Sequence, residues 1–349
     1  MTEQREMVSA SSAEFVEEFD KTFQLSDVNA ALVSIANITG AIVVEAAAQS
    51  AVSIHAVKRA RSQRAFERTR VEFAQEGDRI TARTAVDEDV LVKGVLDWIK
   101  GDKSVAEVQY TVRLPAACAL HAKTVNGSVR ITGLTRKSEA NAVNGSVHLM
   151  QLSGQVTAGT VNGSLHVESI AGDAELNTVN GSLDIRDGRV KMLDARTVSG
   201  NLRAQLSLDP EGEYRFSSTN GSCEVLIPPD SRCTISMQAV NGGVQVDLPH
   251  HTVSSEKRPA FSRWAGEVNG GGAPIRFKTV NGRLRVGSDG ASANHGEPAG
   301  EERATQAEPA RNTPSDASNA MDILRAVERG ELSVAEAMQR IKSQKTYQV

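Results

Sequence analysis

The sequence predicts an all-β protein: a parallel β-solenoid with rungs of roughly 18–21 residues, followed by a small C-terminal helical hairpin. Three observations carry that prediction. A block reading Val-Asn-Gly-Ser places Asn126, Asn144, Asn162 and Asn180 at a constant step of 18 residues, and a fixed period of that size marks a solenoid or array. Behind each Asn-Gly the chain alternates apolar, polar, apolar, which is the pattern of a strand with one buried face. After residue 288 the composition turns to Gly, Ser, Ala, Glu, Pro and Asn, and a short amphipathic segment then closes the chain.

Residues 1–27 form a polar lead-in with one periodic piece, Phe15-Val16-Glu17-Glu18-Phe19, placed to cap one end. The array starts near residue 28, where Asn37-Ile38-Thr39-Gly40 stands for the first corner. Alternating Val52, Ile54 and Val57, then Val71, Phe73, Ile80 and Ala82, suggest wider rungs. Between them Lys58 to Arg70 is rich in basic residues. With Glu67, Glu72 and Glu76 alongside, it reads as a solvated edge or short helix and not as an anion site. Leu91 to Lys103, carrying Trp98, reads as an inserted loop or helical turn.

Two longer rungs marked by proline follow the same plan. Tyr110 to Pro115 precedes Cys118 and Asn126, and Cys223 to Pro228 precedes Cys233 and Asn241. The Asn-Gly blocks continue through Ser199-Gly200 and Asn220, with looser copies at Asn241, Asn269 and Asn281. Residues 28–288 are therefore assigned to the repeat domain. Residues 289–319 hold too little apolar surface to order themselves and read as a disordered linker. Residues 320–345 read as two helices, the first with Ile323, Leu324 and Val327 on one face and Gly330 at its end. The second opens on the capping box Ser333-Val334-Ala335-Glu336. Helices this short need a partner surface, and Ile323, Leu324, Val327, Leu332, Met338 and Ile341 are the candidate partner-binding residues.

Aligned on Asn-Gly, the repeats form columns. Val129, Val147, Leu165, Leu183, Leu202, Cys223, Val244 and Leu284 make one apolar column. Ile131, Leu149, Val167, Ile185, Ala204, Val225, Val246 and Val286 make the next. Between them run Arg130, His148, His166, Asp184, Arg203, Glu224, Gln245 and Arg285, facing outward. A second strand with smaller inward residues reads Val156, Ala158, Thr160, then Ala174, Leu176, Thr178. Asn-Gly tolerates positive φ and so makes the corner. Stacked coils give a structural turn ladder of Asn126, Gly127, Asn144, Gly145, Asn162, Gly163, Asn180, Gly181, Asn220, Gly221, Asn241, Gly242, Asn281 and Gly282, with Asn bonded from rung to rung. Asn-Gly between apolar alternations is also a hairpin signal; the identical columns favour the coil.

These blocks, with Tyr110-Thr-Val-Arg-Leu-Pro115 and Phe277-Lys-Thr-Val-Asn-Gly-Arg-Leu-Arg-Val286, resemble the bacterial putative-adhesin family of β-strand-repeat proteins, a domain of unknown function. The resemblance spans about residues 28–288 and implies a right-handed β-solenoid without known catalysis. Ile323 to Ile341 resembles a SHOCT-like helical pair, which implies docking or oligomerisation.

Chemical signals are weak. His148, His166 and Asp184 share one outward column, but no fourth ligand or supporting shell accompanies them, so no metal is expected. Asp184, Arg186, Asp187 and Arg203 only loosely imitate the charged wall of a polysaccharide-cleaving solenoid. Gly270-Gly271-Gly272 lacks the lysine and helix of a phosphate loop and reads as a turn. Cys223 falls in an inward column and reads as a buried hydrophobe. A net charge of −4 gives no footprint for nucleic acid, and no apolar run is long enough to span a bilayer. Met1 to Phe23 lacks the apolar core of a secretory signal, and the three cysteines form no framework; the expected location is cytoplasmic, with peripheral attachment to the cell envelope as an option.

The expected function is a non-enzymatic, adhesin-like scaffold without a cofactor, whose C-terminal helices bind a protein partner or self-associate. The alternative is a carbohydrate-active or glycan-binding β-helix, with a glycan or envelope component as partner.

Overall fold

The computed structural model describes residues 15–86, 105–259 and 261–288. Along the chain the first end comprises β1 (Phe15–Gln24), β2 (Leu32–Thr39), β3 (Ile42–Ala46), β4 (Ala51–Ala60), helix α1 (Gln63–Arg68), β5 (Thr69–Glu76), β6 (Arg79–Val86) and β7 (Glu107–Leu114). The repeat proper follows as β8 (Ala119–Asn126), β9 (Val129–Thr132), β10 (Ser138–Asn144), β11 (Val147–Leu152), β12 (Gln155–Asn162), β13 (Leu165–Asn180), β14 (Leu183–Ser199), β15 (Leu202–Leu206), β16 (Glu213–Asn220) and β17 (Cys223–Ile227). The second end comprises β18 (Cys233–Asn241), β19 (Val244–Val246), β20 (His250–Arg258), β21 (Phe261–Val268), β22 (Ala273–Asn281) and β23 (Leu284–Ser288).

Each rung is two strands joined at an Asn-Gly corner, so the strands before the corners form one wall and those after it form another. Both walls are parallel through the middle, with Asn144 paired to Asn126 and Asn162, and Leu165 to Val147 and Leu183. The fold is all-β and solenoid-like, and the apolar columns behave as the period requires. Val129, Ile131, Val147, Leu149, Leu165 and Leu183 are at most 1% exposed and share one core with Ala122, Ala140, Ala158 and Leu176 of the facing wall. Val244 and Val246 of the outermost rung are only half-buried.

Rung order departs from chain order at both ends. The rung made by β2 and β3 lies between the rung of β6 and β7 and that of β8 and β9. At the other end the rung of β22 and β23 lies between that of β16 and β17 and that of β18 and β19. The two proline-marked stretches are thereby explained: Pro115 to Cys118 and Pro228 to Arg232 each carry the chain past an inserted rung, a step of two strand spacings, about 9.6 Å.

The ends are also antiparallel, which the expectation of a purely parallel coil missed. At one end β4 runs against β7, β1 against β4, and β5 against β6. At the other β21 runs against β18 and β20 against β21. Aromatic side chains close the core there: Phe19 and Phe73 meet across the first end at 6.0 Å, and Trp264 packs edge-on to His250 at the second. Helix α1 lies in the basic stretch and is capped by the Ser62 side chain, which accepts from the Ala65 amide. Within that stretch Lys58 is buried, with Nζ 2.6 Å from Glu17 and 3.9 Å from the centre of the Phe66 ring.

Candidate functional site

The predicted ladder exists as a row of bonded amides. Asn144 donates to Asn126 at 2.8 Å, Asn162 to Asn144 at 2.9 Å and Asn180 to Asn162 at 3.0 Å. Ser199 interrupts the row. It resumes in spatial rather than chain order, Asn281 donating to Asn220 at 2.7 Å and Asn241 to Asn281 at 3.0 Å. Each interior carboxamide spends one N–H and one lone pair within the row and presents the others outward.

The corner glycines are needed for a reason other than positive φ. Gly145 and Gly282 have φ of 159° and 158°, close to extended backbone. What excludes a side chain is the rung next door: a Cβ at Gly145 would lie 1.9 Å from the Gly127 carbonyl oxygen, and one at Gly181 1.9 Å from that of Gly163. The same carbonyls take the threonine of the motif, Thr160 Oγ1 donating to Gly145 O at 2.8 Å and Thr178 Oγ1 to Gly163 O at 3.1 Å. The motif is therefore one device in which threonine and glycine of one rung seat on the glycine carbonyl of its neighbour.

The first corner falls within Asn37 to Gly40 as expected, whereas the looser copy at Asn269 is corrected. At the first rung Thr39, not Asn37, occupies the ladder position opposite Asn126. Asn37 takes the inward threonine position, is 5% exposed, and donates to the carbonyls of Gly40 and Val108. Its Oδ1 accepts from Thr84, whose hydroxyl also meets the Tyr110 hydroxyl at 2.9 Å. Burial pushes the Tyr110 phenol up to about 12, against the opposing Thr84 bond. Asn269 makes no ladder corner. It sits in the turn between β21 and β22 at φ 49°, and its amide donates to the carbonyls of Pro229 and Ser231.

The second corner of the rung escaped the sequence reading. Gly133, Gln151, Ser169 and Asp187 recur at the 18-residue step with φ of 81°, 54°, 55° and 51°. Their identities differ, so only the step itself could have shown them. Ser169 Oγ donates to Asp187 at 3.0 Å across that corner.

Outward on the wall after the corner, Arg130, His148, His166, Asp184, Arg203, Glu224, Arg285 and Gln245 are adjacent in that spatial order. The His148 and His166 rings stack at 5.0 Å. Burial, His166 and Arg130 together hold the His148 imidazole below its usual range. Asp184 does not complete a metal site with them; Arg186 binds it at 2.9 Å. Asp187 faces Arg189 at 3.5 Å, so the two acids of the expected charged wall are each neutralised by an arginine two residues along. Among the described residues no group of three or more His, Cys, Asp or Glu is placed to hold a metal.

At the second end the row becomes an alternating charge ladder. Arg203 lies 3.6 Å from Glu224, Glu224 2.9 Å from Arg285, and Arg285 2.7 Å from Asp247. Burial works against ionisation of Asp247, but the Arg285 and Gln245 bonds outweigh it and hold the carboxyl below its usual range. On the other wall Glu213 is shared by Arg215 and Arg276.

Cys118, Cys223 and Cys233 are free and buried, as expected for Cys223, and burial pushes the Cys118 and Cys233 thiols up to about 11 and about 12. The candidate partner-binding residues Ile323, Leu324, Val327, Leu332, Met338 and Ile341, the linker, and the expected loop from Leu91 to Lys103 lie outside the described residues. Among the described residues no helix is long and apolar enough to cross a membrane.

A family model described as Toastrack DUF4097 matches residues 33–283, most of the chain. No curated protein matches it. Solved structures that resemble it include a putative adhesin from Bacteroides fragilis, 13% identical, covering 77% of this chain and 96% of that one at a TM-score of 0.42. Others are a putative lipid binding protein from Parabacteroides distasonis (12% identity, 77% and 96% coverage, TM-score 0.36) and a putative cell adhesion protein from Clostridium sporogenes (8%, 78% and 99%, TM-score 0.22).

Proposed function

This chain belongs to the Toastrack DUF4097 family, and from that premise we propose that it is a non-enzymatic binding scaffold whose outward wall engages another macromolecule. The observation that carries the reading is the register of that wall. Eight outward side chains, from Arg130 to Gln245, stand at one strand spacing from one another, a ridge about 34 Å long. Groups held at one strand spacing on a hydrogen-bonded sheet form a straight row that meets an extended partner already ordered. The acids on it are paired with arginines of the same wall, which suits complementarity better than proton transfer. The amphipathic segment over residues 320–345 serves as a second contact, recruiting the partner or a further copy of the chain.

The test is affinity capture on the full chain against two variants, one ending at residue 319 and one carrying Arg130→Glu and Arg203→Glu. A partner held by the full chain and weakened by the charge reversals, with unchanged circular dichroism, supports the wall. Loss on truncation alone assigns binding to residues 320–349. Polysaccharide hydrolysis abolished by Asp184→Ala would overturn the reading in favour of a carbohydrate-active solenoid.

A further inference from the structure

The described chain holds eight Asn-Gly steps, and Asn-Gly is the dipeptide most prone to spontaneous deamidation, because glycine leaves its own amide nitrogen unhindered. In that reaction the glycine nitrogen gives up its proton to solvent base and attacks the asparagine Cγ. The Cγ–Nδ2 bond breaks, ammonia leaves, and a cyclic imide forms. Water then opens the imide at either carbonyl, giving aspartate or isoaspartate. A glycine N–H held in a hydrogen bond is not available for the first step.

In this fold six of the eight nitrogens are held. Gly127, Gly145, Gly163, Gly221 and Gly282 each donate to the asparagine backbone carbonyl of the next rung, and Gly181 to the Ser199 carbonyl that stands in the same place, at 2.9 to 3.2 Å. The protection is supplied by the next Asn-Gly corner, and among the described residues none follows the last rung: β21 lies there antiparallel, its Ser262 Oγ donating to the Gly242 carbonyl at 3.2 Å. Asn241 belongs to that rung, and the Gly242 N–H has no hydrogen-bond acceptor among the described residues. Asn241 is exposed and tied at its side chain only to Asn281. The strand that follows, β19, is three residues long and pairs only with β23. Short terminal pairings open most readily. The Gly270 nitrogen also lacks an acceptor among the described residues, but the Asn269 carboxamide is anchored by two backbone carbonyls, those of Pro229 and Ser231.

We propose that Asn241-Gly242 is a site of spontaneous deamidation and isoaspartate formation, and that stacking protects the other ladder steps. The product has structural consequences. A carboxylate at residue 241 faces the Asn281 oxygen that now accepts its N–H. Isoaspartate adds a methylene to the backbone and shifts β19 out of register with Leu284 and Val286. The modification therefore loosens the outermost rung irreversibly.

Asn281 is the internal reference, because both steps read Val-Asn-Gly and differ in whether the glycine N–H donates to a further Asn-Gly corner. Full-chain protein is aged in mildly alkaline buffer, native and in urea, and digested. Each Asn-Gly peptide is then scored by mass spectrometry with fragmentation that separates aspartate from isoaspartate. The expected native rate at Asn241 exceeds that at Asn281 by about tenfold or more, the ratio set by a protecting backbone bond of ordinary strength. In urea the two rates converge. A native rate at Asn241 no higher than at Asn281, or a tenfold difference that persists in urea, overturns the proposal.

Discussion

Replacing Gly181 by alanine is the sharpest test of how the rungs are held. Its Cβ would stand 1.9 Å from the Gly163 carbonyl oxygen and 2.6 Å from its carbon, where ordinary contact begins at 3.4 Å. The obstacle is backbone, so no rotamer relieves it and the two rungs must part at the corner. Three bonds cross there: Thr178 to Gly163 O at 3.1 Å, Asn180 to Asn162 at 3.0 Å, and Gly163 N–H to Asn180 O at 3.1 Å. At about 1 kcal/mol each, their loss destabilises by about 3 kcal/mol. Urea unfolding followed by circular dichroism measures this against Gly243→Ala, whose Cβ meets nothing within 4 Å. That control should stay within about 0.5 kcal/mol of the parent. A cost below about 1 kcal/mol at Gly181, or an equal cost at Gly243, refutes the close-approach account.

Acid should weaken the fold through its histidines. His148 is held below its ordinary 6.5 by burial, His166 and Arg130, and His121 is lowered chiefly by burial against the opposing pull of Glu139. A depressed imidazole binds fewer protons folded than unfolded, so stability is full above the unfolded value and falls as pH drops below it. Urea midpoints taken downward from pH 7.5 should show this fall, and His148→Asn should flatten it; an NMR titration placing His148 at or above 6.5 contradicts it. None of the three buried thiols should react with a thiol reagent in the native protein, and all three should on unfolding, because the thiolate is the reactive species and burial suppresses it. Removing residues 273–349 should cost far more than removing residues 289–349. The first deletion takes Ile275, Phe277, Leu284 and Val286 out of the middle of the stack, at about 2–5 kcal/mol for each large side chain, as measured by urea unfolding.

The columns were legible because they rest on two periods, two residues along a strand and 18 along the chain, and both survive folding unchanged. Rung order was not, for a physical reason. Nearly every corner presents an Asn-Gly pair behind a small Thr, Ser or Ala, so the corners discriminate little between neighbours and the repeat says little about the order of assembly. Order is chosen by pairings between dissimilar residues. Inserting β23 puts Arg285 between Glu224 and Asp247, and inserting β22 lays Phe277 on Phe216 with ring centres 5.1 Å apart. In chain order Glu224 would face Gln245 instead. The proline-marked stretches were visible as a recurrence, yet their meaning as two-rung crossings needed the partner rung in view. Within the expected corner Asn37 to Gly40, which residue takes the ladder position is set by register, which residue type did not show.

The inserted rungs also bear on which surface is free to bind. An open solenoid exposes unpaired strand edges at both ends and invites stacking of further copies. Here the outermost rungs among the described residues are β6 with β7 at one end and β18 with β19 at the other, with antiparallel strands laid outside. The outer strand β20 carries Glu256, Lys257 and Arg258, is exposed along nearly its whole length, and has a register shift between Thr252 and Ser254. Rungs between residues 119 and 206 hold no aromatic residue, since each is covered by a neighbour and small side chains fill the space. The terminal rungs are covered by antiparallel strands instead, which bring Phe19, Phe73 and Trp264 against the core. Growth along the stacking axis is therefore opposed at both ends by polar edges and aromatic closure. Among the described residues no strand is laid over the outward wall that runs from Arg130 to Gln245, in keeping with the binding role proposed for it.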